Sequence, residues 1–461
     1  MADTEERAPA PPAGGSGLDL YFKITERGSS VGTEIRAGVT TFLVMSYIIF
    51  VNPTILAPAW ELSGITAGAI AAGTALVAGI LSIAMGVFAK YPLAMAAGLG
   101  LNAAVAFGLV LTDGLTPEGA MGVIVWEGLI VAVLVLVGMR EAIMDAVPLS
   151  LKRAIGVGIG LFILFIGFVT GELIVLNVED APVTFAFPNS PGAWTTLIGL
   201  AIVVLLYARK VPGALIISII ATAIIALILG VATVPDQLAL TPSFDTFGQI
   251  DMGNAFTVLG GLAAVLTIFS FMLTDFFDTM GTATGIVEQA ELTDEEGNIP
   301  GIGTLLLVDS LGAAAGGAAG VSSNTSYIES ASGVAEGGKT GLTSVVVGIL
   351  FLAAIFVTPL AELVPRQATA PALILVGFLM AGLIKGIDFT DFEEGFPALL
   401  AIVLMPLTFS ITVGIGAGFL MHTLIKVVKG KARDLHPLMW VVAVAFLIYF
   451  GQAVINTAIS A

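Results

Sequence analysis

Two acids three residues apart, Asp275 and Asp278, lie inside the apolar stretch FSFMLTDFFDTMGTATG, residues 269–285. On a helix that spacing puts both carboxyls on one face. At a bilayer centre each costs about 2.5–3.5 kcal/mol on the insertion scale. A helix carrying two needs a partner, water or a ligand to offset that cost. Farther along, residues 322–338 read SSNTSYIESASGVAEGG, with Glu329 among small polar residues and glycines at expected membrane depth. A carboxylate accepts hydrogen bonds, and a protonated one also donates. A desolvated carboxylic acid holds its proton closer to neutral pH. The chemistry on offer is therefore recognition of a polar ligand edge, carriage of a proton or cation, or helix–helix bonding within a bundle.

The neighbouring residues divide in the same way. Asp275 is either a proton or cation site or an orienter of nearby backbone. Asp309 and Glu127 read as structural or relay partners. Asn102, Asn324 and Thr325 can satisfy backbone freed at helix breaks or touch a ligand. Phe276 and Phe277 can stack on a flat ligand or simply pack. Gly98, Gly100 and Gly281 read as points of close backbone approach.

The elements that must position these residues are membrane helices. The chain has 461 residues, 57% of them hydrophobic and 11% charged, with a mean hydropathy of +1.03. Soluble domains carry about 25% charged residues. Apolar runs long enough to span a bilayer recur throughout, as in a helical polytopic protein rather than a barrel. With no cysteine and only His422 and His436, thiolate and histidine-rich metal centres are excluded. The net charge of −17 sits in the tail and in loops such as Asp294-Glu295-Glu296, and reads as adaptation to high salt. Residues 1–20 lack a basic start and an apolar core, so they read as a disordered tail rather than a signal peptide. Leu18 to Arg36 reads as a surface segment.

Spans are expected at 37–58, 65–89, 92–111, 119–138, 154–175, 194–209 and 212–231. A second set follows at 257–290, 303–319, 322–338, 342–364 and 370–387. Residues 396–428 read as two short passes meeting near Thr412-Val413-Gly414, and 436–452 as a further crossing or a packed helix. Seven spans per half place the halves in opposite orientation. Phe42, Met45 and Phe50 recur as Phe269, Met272 and Phe277 at a constant offset. Each half has an interrupted third segment, Ala96-Ala97-Gly98-Leu99-Gly100-Leu101-Asn102 in one and residues 322–338 in the other. Paired interruptions of this kind point to a transporter binding site near the midplane. With the amino terminus inside, Lys90, Arg140, Lys152, Arg153, Arg209, Lys210, Lys339 and Lys385 fall on cytoplasmic loops, as does the cluster Lys426, Lys429, Lys431 and Arg433.

Four stretches resemble the nucleobase–cation symporters, in the AzgA-like branch of adenine, guanine and hypoxanthine permeases. They are Glu34 to Phe42 running on to Asn52-Pro53, Gly98 to Ala103, Asp275 to Thr282, and Tyr327-Ile328-Glu329-Ser330. The resemblance implies about fourteen segments in two inverted sevens, with a core domain moving against a gate domain. The expected parts are a tail and surface segment at 1–36, core at 37–138 and 257–364, and gate at 139–256 and 365–461. It also implies that Asp278 and Glu329 contact the base. Tyr327, Gly98, Asn102, Phe277, Thr282, Thr325 and Asp275 are further candidate contacts, and Asp275, Asp278 and Glu329 are candidates for coupling to H+ or Na+. Thr282 stands where other branches have His or Asp, so a proton role does not transfer to it.

The expected activity is uptake of purine bases across the cell membrane by cation symport, with no cofactor, no enzyme activity and no nucleic-acid partner. The oligomeric state, a homodimer among the options, is open. A uracil or xanthine permease, or an anion transporter, is the alternative. No Lys or Arg falls in the interrupted segments, which disfavours the anion transporter. No Gly-x-x-x-x-Gly-Lys-Ser/Thr motif occurs, so ATP is not expected to drive transport.

Overall fold

The computed structural model describes residues 17–139, 146–178, 181–234, 241–294 and 298–460. Most of the acidic tail, Arg140, and Glu295-Glu296 of the acidic loop lie outside the described residues. The helices are α1 (Gly17–Phe22), α2 (Val31–Met45), α3 (Ile48–Trp60), α4 (Ala67–Ala84), α5 (Leu99–Ala103), α6 (Pro117–Leu136), α7 (Leu149–Thr170), α8 (Pro191–Ala208), α9 (Ala214–Ile228) and α10 (Asn254–Val258). The second half has α11 (Gly261–Gln289), α12 (Ile302–Ala318), α13 (Ser330–Ala335), α14 (Gly341–Ala354), α15 (Arg366–Ala381), α16 (Phe392–Thr408), α17 (Ile411–Val428) and α18 (Pro437–Ser460). Tighter or wider helical turns extend several of these, such as Ala104–Thr112 after α5 and Ile355–Leu363 after α14, and there are four short strands: β1 (Met95–Ala97), β2 (Ile174–Val178), β3 (Ala181–Phe185) and β4 (Asn324–Ser326). Among the described residues nine helical stretches are long and apolar enough to cross a membrane. With the shorter and broken segments these make two sets of seven, and α18 is additional.

Several boundaries differ from the sequence reading. The first span starts at Val31 rather than Ala37, because the Ser30 hydroxyl accepts from Thr33 N–H at 3.2 Å and caps the helix. Glu34 is thereby drawn inside instead of lying on the surface. Its carboxylate accepts from the N–H groups of Lys339 (2.9 Å) and Thr340 (3.2 Å) and from the Thr343 hydroxyl (2.6 Å). It supplies the partners that the start of α14 lacks. The fifth span is α7, which begins at Leu149 behind Pro148 and is followed by the unexpected β2–β3 hairpin. Residues 396–428 form two antiparallel helices, with Gly414 against Met405 and Gly418 against Ala401 and Pro397. They meet at Phe409, in the left-handed region (φ 52°), and Ser410, earlier than expected. Ser410 decides the turn by capping α17 through Val413 N–H at 3.3 Å. The lysines at the end of this hairpin converge on one acid: Lys426, Lys429 and Lys431 all bond Glu393.

The helices pack as two groups. In one, α6 lies along α12 and α11, α4 along α14 and α3, and α2 along α13 and α14. In the other, α7 is packed by α15 and α16, α8 by α9 and α15, and α16 by α17. Small residues set these separations. A Cβ on Gly377 of α15 would stand 2.5 Å from the Gly160 carbonyl of α7, so the two backbones touch there. The final helix α18 lies on α17, with Phe446 edge-on to Phe419 at 6.5 Å.

Candidate functional site

The two interrupted segments meet each other. Met95, Ala96 and Ala97 pair antiparallel with Ser326, Thr325 and Asn324. An antiparallel pair has local two-fold symmetry, which matches the inverted halves it joins. The pairing continues outward, with Gly98 N–H donating to Ser323 O (2.8 Å) and Tyr327 N–H to Ala94 O (2.9 Å). Other polar groups absorb what the strands leave over. Ser82 exchanges bonds with Met95, and the Ser330 hydroxyl accepts from Ala94 N–H at 3.0 Å. Each strand then runs into a short helix, α5 at Leu99 and α13 at Ser330.

A cavity of about 420 Å³ opens beside this pair. Asp278, Phe277, Thr282, Ile328 and Glu329 line it from the first group of helices, and Lys152, Val376 and Met380 from the second. A smaller lobe adds Gly98, Thr325, Tyr327 and Tyr47 and shares Asp278 and Glu329 with the main one. Asp278 is exposed to this space and Glu329 is half-buried. The Tyr47 hydroxyl donates to Glu329 Oε1 at 2.6 Å. The Tyr327 hydroxyl turns away and donates to the Ala97 carbonyl. Gly98 lies close to Thr325, whose methyl would be 3.1 Å from a Cβ at that position. Two separated carboxyls, an aromatic face at Phe277 and an apolar floor suit a flat, polar-edged ligand.

Seven of the nine candidate contacts thus line one cavity; Asp275 and Asn102 do not. Asn102 is fully buried and donates to Asn52 Oδ1, while Asn52 donates to Thr74 Oγ1 (2.8 Å) and Val321 O (3.2 Å). That chain satisfies backbone behind the strand pair. Asp275 lies buried one turn from Asp278 and accepts from the Ser323 hydroxyl at 3.0 Å. Two residues at the cavity escaped the sequence reading. Tyr47 carries no motif signal, being one aromatic in an apolar span. Lys152, which the charge pattern places on a loop, stands in the first turn of α7 with Nζ 5.3 Å from the Phe277 ring centroid. Lys152 thus brings a positive charge to the cavity from outside the interrupted segments.

The sequence pattern of the permease family, that of the xanthine and uracil permeases, matches residues 32–417. The chain belongs to this family. The adenine permease AdeQ of Escherichia coli is 41% identical over 431 residues, which cover 93% of this chain and 95% of that one. The guanine/hypoxanthine permease PbuG of Bacillus subtilis is 40% identical over 444 residues, covering 94% and 99%. The transmembrane domain of a cyanobacterium bicarbonate transporter, BicA, superposes with a TM-score of 0.60 at 14% identity, covering 84% of this chain and 97% of that one. This last likeness is one of fold. The chain is a permease and not an enzyme, and its helices make it a multi-pass membrane protein.

Proposed function

We propose that this permease takes up purine nucleobases, adenine, guanine or hypoxanthine, by symport with a proton or sodium ion. It does so in the cell membrane with its amino terminus in the cytoplasm. The observation that carries the reading is the joint placement of Asp278 and Glu329 on one cavity, in a chain about 40% identical to an adenine permease and to a guanine/hypoxanthine permease. A purine offers N–H donors and ring-nitrogen acceptors along its edges. Two carboxyls on different elements bind such edges from two directions, and Phe277 offers a face to stack against. Val376, Met380 and Lys152 close the other side, so binding spans the boundary between the two helix groups. A site built this way rejects ligands that leave its buried polar groups unpaired.

Competition decides the substrate. Uptake of labelled hypoxanthine into cells expressing the protein is expected to fall with excess adenine or guanine and to resist uracil. Uracil or xanthine competing best, with adenine and guanine inert, would overturn the assignment.

A further inference from the structure

Behind the cavity wall three buried acids lie within electrostatic reach of one another: Glu127 on α6, Asp275 on α11 and Asp309 on α12. Their hydrogen bonding is unequal. Asp309 accepts from the Thr279 hydroxyl (2.6 Å), the Ser326 N–H (2.8 Å) and the Ser326 hydroxyl (2.8 Å). Asp275 accepts one bond, from Ser323 Oγ at 3.0 Å. Both carboxyl oxygens of Glu127 are buried without a hydrogen-bond partner, although Ser323 lies beside them. A serine has one hydroxyl hydrogen, and here it is spent on Asp275. Among the described residues every donor to these acids is neutral.

An unpaired buried carboxylate is among the most costly groups a protein can contain. Several neutral donors let a carboxylate stay ionised, and none leaves only the acid form affordable. The donor count therefore ranks the three. Asp309 has the most hydrogen-bond support for its charged form, Glu127 the least, and Asp275 lies between them.

We propose that Glu127, Ser323 and Asp275 form a proton-binding relay. The Glu127 carboxyl gives its proton to Ser323 Oγ while the Ser323 hydroxyl hydrogen passes to Asp275. Glu127 ends as the carboxylate, Asp275 as the acid, and Ser323 is unchanged. Asp309 stays charged and anchors Ser326 and Thr279. The relay adjoins the cavity at two points. Asp275 is one helical turn from Asp278, and the Ser323 carbonyl holds Gly98 N–H at 2.8 Å at the end of the strand pair. A shift of that pair on ligand binding moves Ser323 and changes which acid it serves. The other titratable groups facing the relay are acids, Asp309 and Asp278, with Glu329 beyond Asp278. Asp113 and Asp251 stand at the amino-terminal end of α6, where Asp251 N–H bonds Glu118 O. Lys152 is across the cavity over Phe277.

The transport consequence rests on the proposed cation-coupled uptake, whereas proton binding itself does not, and the test separates them. Infrared spectra of the purified full chain, with no base added, are expected to show a protonated-carboxyl band. Glu127→Gln removes that band and Ser323→Ala keeps it. In reconstituted vesicles a pH step of one unit drives hypoxanthine accumulation up to about tenfold per proton carried. In Glu127→Gln the accumulation ratio falls towards one, and in Ser323→Ala gradient-driven uptake slows by about tenfold or more. A Glu127→Gln protein with the wild-type band, or wild-type accumulation that follows sodium and ignores pH, overturns the relay. So does Ser323→Ala with wild-type gradient-driven rates, which decides the matter if Glu127→Gln does not fold. A wild-type protein that carries no nucleobase refutes the proposed function instead, and the infrared band alone then decides proton binding.

Discussion

At the scale of single residues, Glu329 is set apart by its support. It lies at the start of α13, open to the cavity, with the Tyr47 hydroxyl holding one oxygen from the opposite half of the chain. Hydrogen bonds to charged groups contribute about 1.5–3 kcal/mol, or roughly ten- to a hundredfold in affinity. Glu329→Gln is expected to cut purine uptake by at least that much while the protein still reaches the membrane. Tyr47→Phe, which removes only the orienting donor, should raise the apparent KM by about tenfold and leave expression intact. Uptake kinetics beside surface quantification tests both. Wild-type rate and affinity in Glu329→Gln would remove Glu329 from the site.

At the scale of elements, the buried ends of helices explain residues whose role no local pattern announces. Glu34 opens one of the stretches that resemble the symporters, yet it does not line the cavity that holds Asp278 and Glu329. It binds two backbone N–H groups and a hydroxyl at the start of α14, some 300 positions away. Glu34→Ala strands those donors, at a cost of about 1–3 kcal/mol for a buried group left unpaired. Thermal unfolding in detergent should move to lower temperature while ligand affinity of the folded fraction holds. An unshifted transition would mean that water replaces the carboxylate there.

At the scale of the whole molecule, the cavity belongs to neither helix group alone. Asp278 and Glu329 come from one, while Val376, Met380 and Lys152 come from the other. Under the proposed symport, relative movement of the groups would change access without unfolding either, as in rocking transporters, and a gradient would supply the energy. In sealed vesicles, collapsing both proton and sodium gradients is expected to bring nucleobase accumulation to equilibrium, and ATP should make no difference. Accumulation that survives the collapse at the same ratio would rule out symport.

Much of this protein was determined by local sequence. Apolar run lengths dictated membrane helices, and Gly98, Gly100 and Asn102 marked one break as Asn324, Thr325 and the glycines of residues 322–338 marked the other. These signals are legible because a glycine or amide in an apolar run changes backbone preference where it stands. The acids at 275 and 278 were legible as a pair but not as individuals. Periodicity puts both on one helix face, and only packing shows that Asp278 meets the cavity while Asp275 turns to Ser323. Tyr47 on Glu329, Lys152 over Phe277 and Glu34 beneath α14 were decided by tertiary structure alone. Each contact joins residues more than a hundred positions apart, and spacing along the chain carries no record of which faces will meet.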